Sequence, residues 1–277
     1  MTINASSKRL GHAAAVLGAL AALMVAAAAP ADDTDAQDDG DSRYWRVTAS
    51  TGVDFSRGDF GTDTESNTWY VPTSLKFELD PVFVKVTVPY VFVDGDVVIV
   101  GDQPEGVDGL TGVRDGIGDV VLSAGYTYFP TGPSALPVVS LTGKVKLATA
   151  DEDEGLGTGE EDYTLQLEIS KTFGWFSPFA GVGYKFIGDP KGVSFEDKLF
   201  ASGGFSVDLG DRVDVGIVYD WAQSAVKGNP DIHELSPFAS IKLGDHFAMD
   251  PYALVGLSQA APDWGLGMQF RVFFGSD

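Results

Sequence analysis

The sequence predicts an all-β protein, a transmembrane antiparallel up-and-down β-barrel of about twelve strands. Three observations predict it. Apolar residues recur with a period of two, the segments that carry them are separated by connections alternating between short and long, and no apolar run beyond residue 31 reaches the roughly 18 residues of a membrane-crossing helix. Lipid offers backbone polar groups no partner, so a chain that crosses a bilayer without helices must close into a barrel.

From the N-terminus, Lys8 and Arg9 precede an Ala-, Leu- and Val-rich run that ends at Ala29-Pro30-Ala31. That order of basic, apolar and small residues predicts a cleaved secretory signal over residues 1–31. Residues 32–41 read DDTDAQDDGD, too polar to bury a core, so 32–42 is expected as an acidic disordered tail and 43–277 as the barrel. Removing 1–31 takes two of the 18 basic residues and no acid, leaving 16 against 40 and a net charge of −24. That balance excludes nucleic acid as an expected partner. Without cysteine there is no disulfide, thiolate metal site or lipidated cysteine, and no nucleotide or cofactor motif is present, so no cofactor is expected.

Alternation is clearest over residues 163–170, where Tyr163, Leu165, Leu167 and Ile169 share one face and Thr164, Gln166, Glu168 and Ser170 the other. Applied along the chain, the pattern predicts strands at 44–56, 67–79, 82–93, 117–129, 137–148, 163–173, 177–187, 198–209, 212–222, 233–243, 247–258 and 264–274. Short connections fall at 80–81, 131–136, 174–176, 210–211 and 244–246. Mostly longer ones, rich in Gly and Asp, fall at 58–66, 94–116, 149–162, 188–197, 223–232 and 260–263. This is the pattern of periplasmic turns and external loops in a bacterial outer membrane. Aromatics gather at both ends, as in two interfacial belts: Trp45, Phe77, Tyr126 and Trp175 near the turns, Phe55, Trp69, Tyr163, Trp221 and Trp264 near the loops. The rival is a soluble sandwich or lipocalin-like barrel, which alternates equally well but turns its apolar face inward.

If the polar face lines the lumen, Arg46, Lys76, Glu78, Lys85, Asp119, Lys144, Lys146, Glu168, Asp214 and Arg271 point inside. Both signs are present, which suits either a narrow pore or a charge network filling the barrel. Lys76, Lys85, Lys144 and Lys146 are expected to form a basic stripe. Pairing 67–79 with 82–93 through Asp80-Pro81 sets Leu79 against Val82, Phe77 against Val84 and Pro72 against Pro89. Two residues without a backbone donor then share one level of the wall, which makes Pro72 and Pro89 candidates for a lateral opening, with curvature-setting bulges as the plainer reading.

The acids at 151–154 and 160–162 lack EF-hand spacing and are read as a solvated loop, so no metal site is assigned. Catalysis is not expected either. After signal cleavage only His233 and His246 remain; His233 and Ser236 are three apart in a strand and face opposite ways, which argues against an outer-membrane lipid hydrolase.

Val88-Pro89-Tyr90-Val91, then Asp94-Gly95, then the run from Gly116-Ile117-Gly118-Asp119 to Ala124-Gly125-Tyr126 resembles the outer-membrane transporters called the MetA-pathway of phenol degradation family. That family is similar, more distantly, to the channels for long-chain fatty acids and aromatic hydrocarbons. The resemblance implies passive passage of small hydrophobic or aromatic compounds. The last strand, with Trp264, Leu266, Met268, Phe270, Val272 and Phe274 on one face, is similar to the signal read by the barrel assembly machinery, although Gly275-Ser276-Asp277 extend beyond it. An N-terminal plug is not carried over, because the first strand starts about a dozen residues after the cleavage point. The expected partners are therefore outer-membrane lipid, the assembly machinery and a small solute. The alternative reading is a structural or adhesive barrel without transport.

Overall fold

The computed structural model describes residues 44–100, 103–106, 112–130, 136–190 and 195–275. The signal and tail expected over 1–42 lie outside the described residues. Alternating apolar and polar residues place each side chain opposite its neighbour, and fifteen strands result: β1 Trp45–Gly58, β2 Ser66–Leu79, β3 Val82–Asp94, β4 Val97–Val100, β5 Gln103–Gly106, β6 Val113–Ile117, β7 Val121–Tyr128, β8 Val138–Lys146, β9 Asp162–Ser170, β10 Phe176–Phe186, β11 Lys198–Asp208, β12 Val213–Ala222, β13 Ile232–Lys242, β14 Phe247–Gly256 and β15 Trp264–Gly275. Each wall strand pairs antiparallel with the next, and β15 closes on β1. With β6 and β7 counted as one stave, the barrel has the twelve predicted staves. The β2–β3 register is the predicted one, with Leu79 opposite Val82, Phe77 opposite Val84 and Pro72 opposite Pro89.

The apolar face points outward. Leu165, Leu167 and Ile169 are 54%, 42% and 44% exposed, while Thr164, Gln166 and Glu168 turn into the lumen. The inward-facing core of a soluble barrel is therefore absent from the wall. The many glycines on the lumen side have a packing reason. Phe83, Phe179, Phe200, Phe238 and Tyr252 all point inward, and each stands directly opposite a glycine: Gly125, Gly204, Gly183, Gly216 and Gly267 respectively. A methyl group at any of these glycines would collide with the ring facing it. The lumen is thus lined by rings lying across glycine gaps as well as by polar groups.

The stretch read as one loop over 94–116 is the main departure from expectation. It holds the β4–β5 hairpin and then β6, which lengthens the fourth stave. Every residue of β4 is buried, a state that a solvated loop does not reach. Val97 and Ile99 pack with Phe60 from the β1–β2 loop, Leu156 from the β8–β9 loop, and the inward Val91 and Val93. Val98 and Val100 pack with Ile187, Phe195 and Ala225 from the next two loops. The loop end is therefore closed by a small apolar core of the kind found in soluble domains, whereas the wall below it faces apolar side chains outward.

Candidate functional site: the lumen and its cap

Arg114, inward on β6, fastens the hairpin. Its Nη2 donates to the carbonyls of Gly95 (2.7 Å) and Val97 (2.8 Å), and Nη1 to that of Glu154 (3.2 Å). Towards the open end of the hairpin, where Glu105 pairs with Val98, Lys198 Nζ of β11 lies 2.9 Å from Glu105 Oε1, with both side chains at 2% exposure or less. Ser224 Oγ donates to the other carboxylate oxygen at 3.2 Å. A charge pair this dry holds its place only while both members are present.

The structure brings some of the candidate lumen residues together. Lys146 Nζ stands 2.9 Å from Asp119 Oδ2 and 3.3 Å from Asp162 Oδ2, and donates to Thr158 Oγ1 at 2.7 Å. Asp119 owes its inward aim to a bulge: the β3–β6 and β3–β7 registers differ by one residue across 118–120. Its free oxygen accepts the N–H groups of Thr149 (3.0 Å) and Ala150 (2.9 Å), which folds the β8–β9 loop onto the rim. Nearer the turn end, Arg271 grips Asp250 with two nitrogens and Lys76 donates to Glu78 at 2.7 Å. Arg46 lies between the rings of Tyr44 and Phe273, and Asp214 stands opposite Asp208. Glu168 lines a cavity of about 470 Å³ beside Phe179.

Of the expected basic stripe, Lys76, Lys85 and Lys144 share one row, while Lys146 lies two residues further along β8 beside Asp119 and Asp162. Following register partners from strand to strand gives Lys76, Lys85, Ser123, Lys144, Thr164, Lys185 and Lys198 in one unbroken row across seven staves. The row ends at the hairpin latch. Lys144, Lys146, Lys185 and Lys198 share a cavity of about 290 Å³ under the cap with Asp220, Glu234 and Phe200. Glu105, Lys198, Arg114, Asp162 and Glu234 were missed by the sequence reading. For Lys198 and Glu234 strand parity was signal enough, since each lies an even number of residues from another charged residue of its own strand, Asp208 and Lys242 respectively. For Glu105 and Arg114 no such signal existed.

Pro72 and Pro89 face each other, and the β2–β3 ladder runs through them without a register change. The interruptions lie on their outer flanks. The β1–β2 ladder skips Gly52 and Val53, and the wall on the other side of β3 is broken between Thr87 and Tyr90. In the second gap the carbonyl of Pro89 is taken by the N–H of Gly118 (2.9 Å).

His233 Nδ1 is 2.6 Å from the Tyr219 hydroxyl on the outer face, and Ser258 Oγ accepts the His233 backbone N–H rather than meeting its ring. His246 Nδ1 faces the carbonyl of Phe273. Among the described residues no group of three or more His, Asp or Glu side chains is placed to hold a metal ion.

No protein-family model and no curated protein matches the chain, so the family resemblance rests on the quoted residues alone. Solved structures do match. The COG4313 outer membrane channel from Pseudomonas putida F1 superposes with a TM-score of 0.61 at 13% identity, over 89% of this chain and 100% of that one. The translocator domain of the autotransporter NalP from Neisseria meningitidis gives 0.44 at 13% identity, over 97% and 96%. The TodX deltaS2S3 mutant monoaromatic hydrocarbon channel gives 0.42 at 10% identity, over 84% and 89%. At these identities the first shows a common fold, and the other two carry no further argument.

Proposed function

We propose that the chain is a bacterial outer-membrane channel for passive passage of small molecules, with hydrophobic or aromatic compounds preferred, and that its own β4–β5 hairpin holds the loop end shut. The hairpin carries the reading. A barrel built only as a wall needs its lumen filled by wall side chains, whereas here a separate, latched element fills one end above ring-lined cavities. Lipid against the outward apolar band and assembly through β15 belong to the same proposal.

The deciding experiment compares single-channel conductance of the folded protein with that of a variant in which a short Gly-Ser linker replaces Val97–Gly106. The expected result is rare, small openings for the parent and steady, larger steps for the variant. A variant that folds and stays silent would favour the structural or adhesive alternative.

A second reading concerns where an apolar solute leaves. The interrupted seam beside Pro89 supports lateral exit between β3 and the β6–β7 stave. Replacing both Pro72 and Pro89 with valine is expected to reduce uptake of labelled hydrophobes while conductance persists. Unchanged uptake would leave the prolines with a curvature role only.

A further inference from the structure

The lysine row stops short of the β1–β2 side of the lumen beneath the hairpin. A second cavity, about 310 Å³, lies under the hairpin against β1, β2, β13 and β14, and no Lys or Arg lines it among the described residues. Its charged members are Asp54 and Glu234. Asp54 is held by the Tyr252 hydroxyl at 2.7 Å, and Gly267 leaves the space that lets the Tyr252 ring lie across to it. The Glu234 carboxylate forms no hydrogen bond or salt bridge among the described residues, its backbone lying in the ladders with β12 and β14. Lys198, whose charge reaches it, is already paired with Glu105. Apart from Ser56 and Thr68 the remaining wall is apolar, including Ile99 and Pro104 of the hairpin together with Ile232 and Leu254, and the ring of Tyr70 joins that of Tyr252.

Independently of the carboxylates, Thr68 points to a ligand. It lines the same cavity at 3% exposure, and its hydroxyl has no hydrogen-bond partner. A buried hydroxyl left unpaired costs free energy unless something fills its place. Carboxylate, aromatic faces, an unpaired hydroxyl and an apolar floor are together the complement of one ligand chemistry. The carboxylate meets a positive charge, the tyrosine rings favour a cation over their faces, and the floor takes a hydrocarbon body.

We infer that this cavity binds small hydrophobic ammonium compounds, with the ammonium group at Glu234 and the apolar body against Ile99, Ile232 and Leu254. This goes beyond the channel reading, and its test measures binding without passage, so a silent channel leaves it standing. Since Ile99 and Pro104 belong to the hairpin, an occupant also touches the element that closes the barrel.

The test is calorimetric titration of the purified protein in lipid nanodiscs with 2-phenylethylammonium, 2-phenylethanol and 3-phenylpropionate, using empty nanodiscs as the blank. The ammonium is expected to bind saturably and about tenfold or more tighter than the alcohol, the scale of a charge-assisted hydrogen bond in a sheltered site. Glu234→Gln is expected to erase that advantage, and Thr68→Val to weaken ammonium binding less. Equal affinity for ammonium and alcohol, or an unaltered advantage in folded E234Q, would overturn the inference. Preference for the carboxylate would overturn it too and assign the lumen's selectivity to the lysine row. The three-ligand comparison on the unaltered protein decides the matter even if the variant fails to fold.

Discussion

The two ends of the barrel solve the same closing problem in opposite ways. At the turn end, residues 80–81 and 243–246 reverse the chain tightly, and aromatic residues such as Phe77, Trp175 and Phe247 remain exposed. At the loop end, five connections converge and bury Phe60, β4, Leu156, Phe195 and Ala225 within the cap. In the proposed membrane setting, outward apolar residues lose only the transfer of the trimmed groups from water, since lipid fills the space and no cavity is left. Apolar residues in the cap are packed against protein and gain from burial as in a soluble core. The charge pairs differ in the same way, Lys76–Glu78 being partly exposed and Glu105–Lys198 dry.

The largest expected effect that separates the ends is on the latch. Glu105→Ala takes its nearest carboxylate from the buried Lys198, at a cost of about 3–5 kcal/mol. Hydrogen exchange of β4 amides should accelerate strongly and channel openings should become frequent. By contrast Lys76→Met, which breaks a pair about 30% exposed, is expected to cost less than about 1 kcal/mol and to leave β4 exchange unchanged. Equal effects would break the comparison.

Next in size is Leu156→Ala in the cap, expected to cost about 2–5 kcal/mol as a cavity opens beneath the hairpin. Leu165→Ala on the outer face should shift unfolding in lipid far less, which parallel denaturant titrations would read. The smallest effect expected is that of Arg114→Lys. It keeps the charge but loses the planar fork that reaches three carbonyls, so β4 exchange should rise modestly while the wall is untouched.

Much of the wall was legible because each of its rules is local. The 163–170 alternation, the Asp80-Pro81 turn and the short-long order of connections act over a few residues, and together they predicted twelve staves and the Pro72–Pro89 pairing. The cap was not legible in this way. Four consecutive apolar residues, Val97 to Val100, signal burial but do not say against what, and a four-residue strand is too short to join the wall. The break at 118–120 was likewise hidden, since the bulge that aims Asp119 at Lys146 appears only once β3 has a partner on each side.

By itself the sequence determined the fold class, the alternation of faces along the predicted strands and the location of the long connections, because a period of two and the needs of the backbone in lipid allow few other arrangements. The tertiary structure alone decided what stands beside what inside the barrel. Row partners such as Lys144 and Lys185 are set by the register of several hairpins in succession, and Glu105 meets Lys198 only because loops distant in sequence converge on one end of a closed cylinder. The separation of the lysine-lined cavity from the one that holds Asp54 and Glu234 without a base follows from that closure and not from any local pattern.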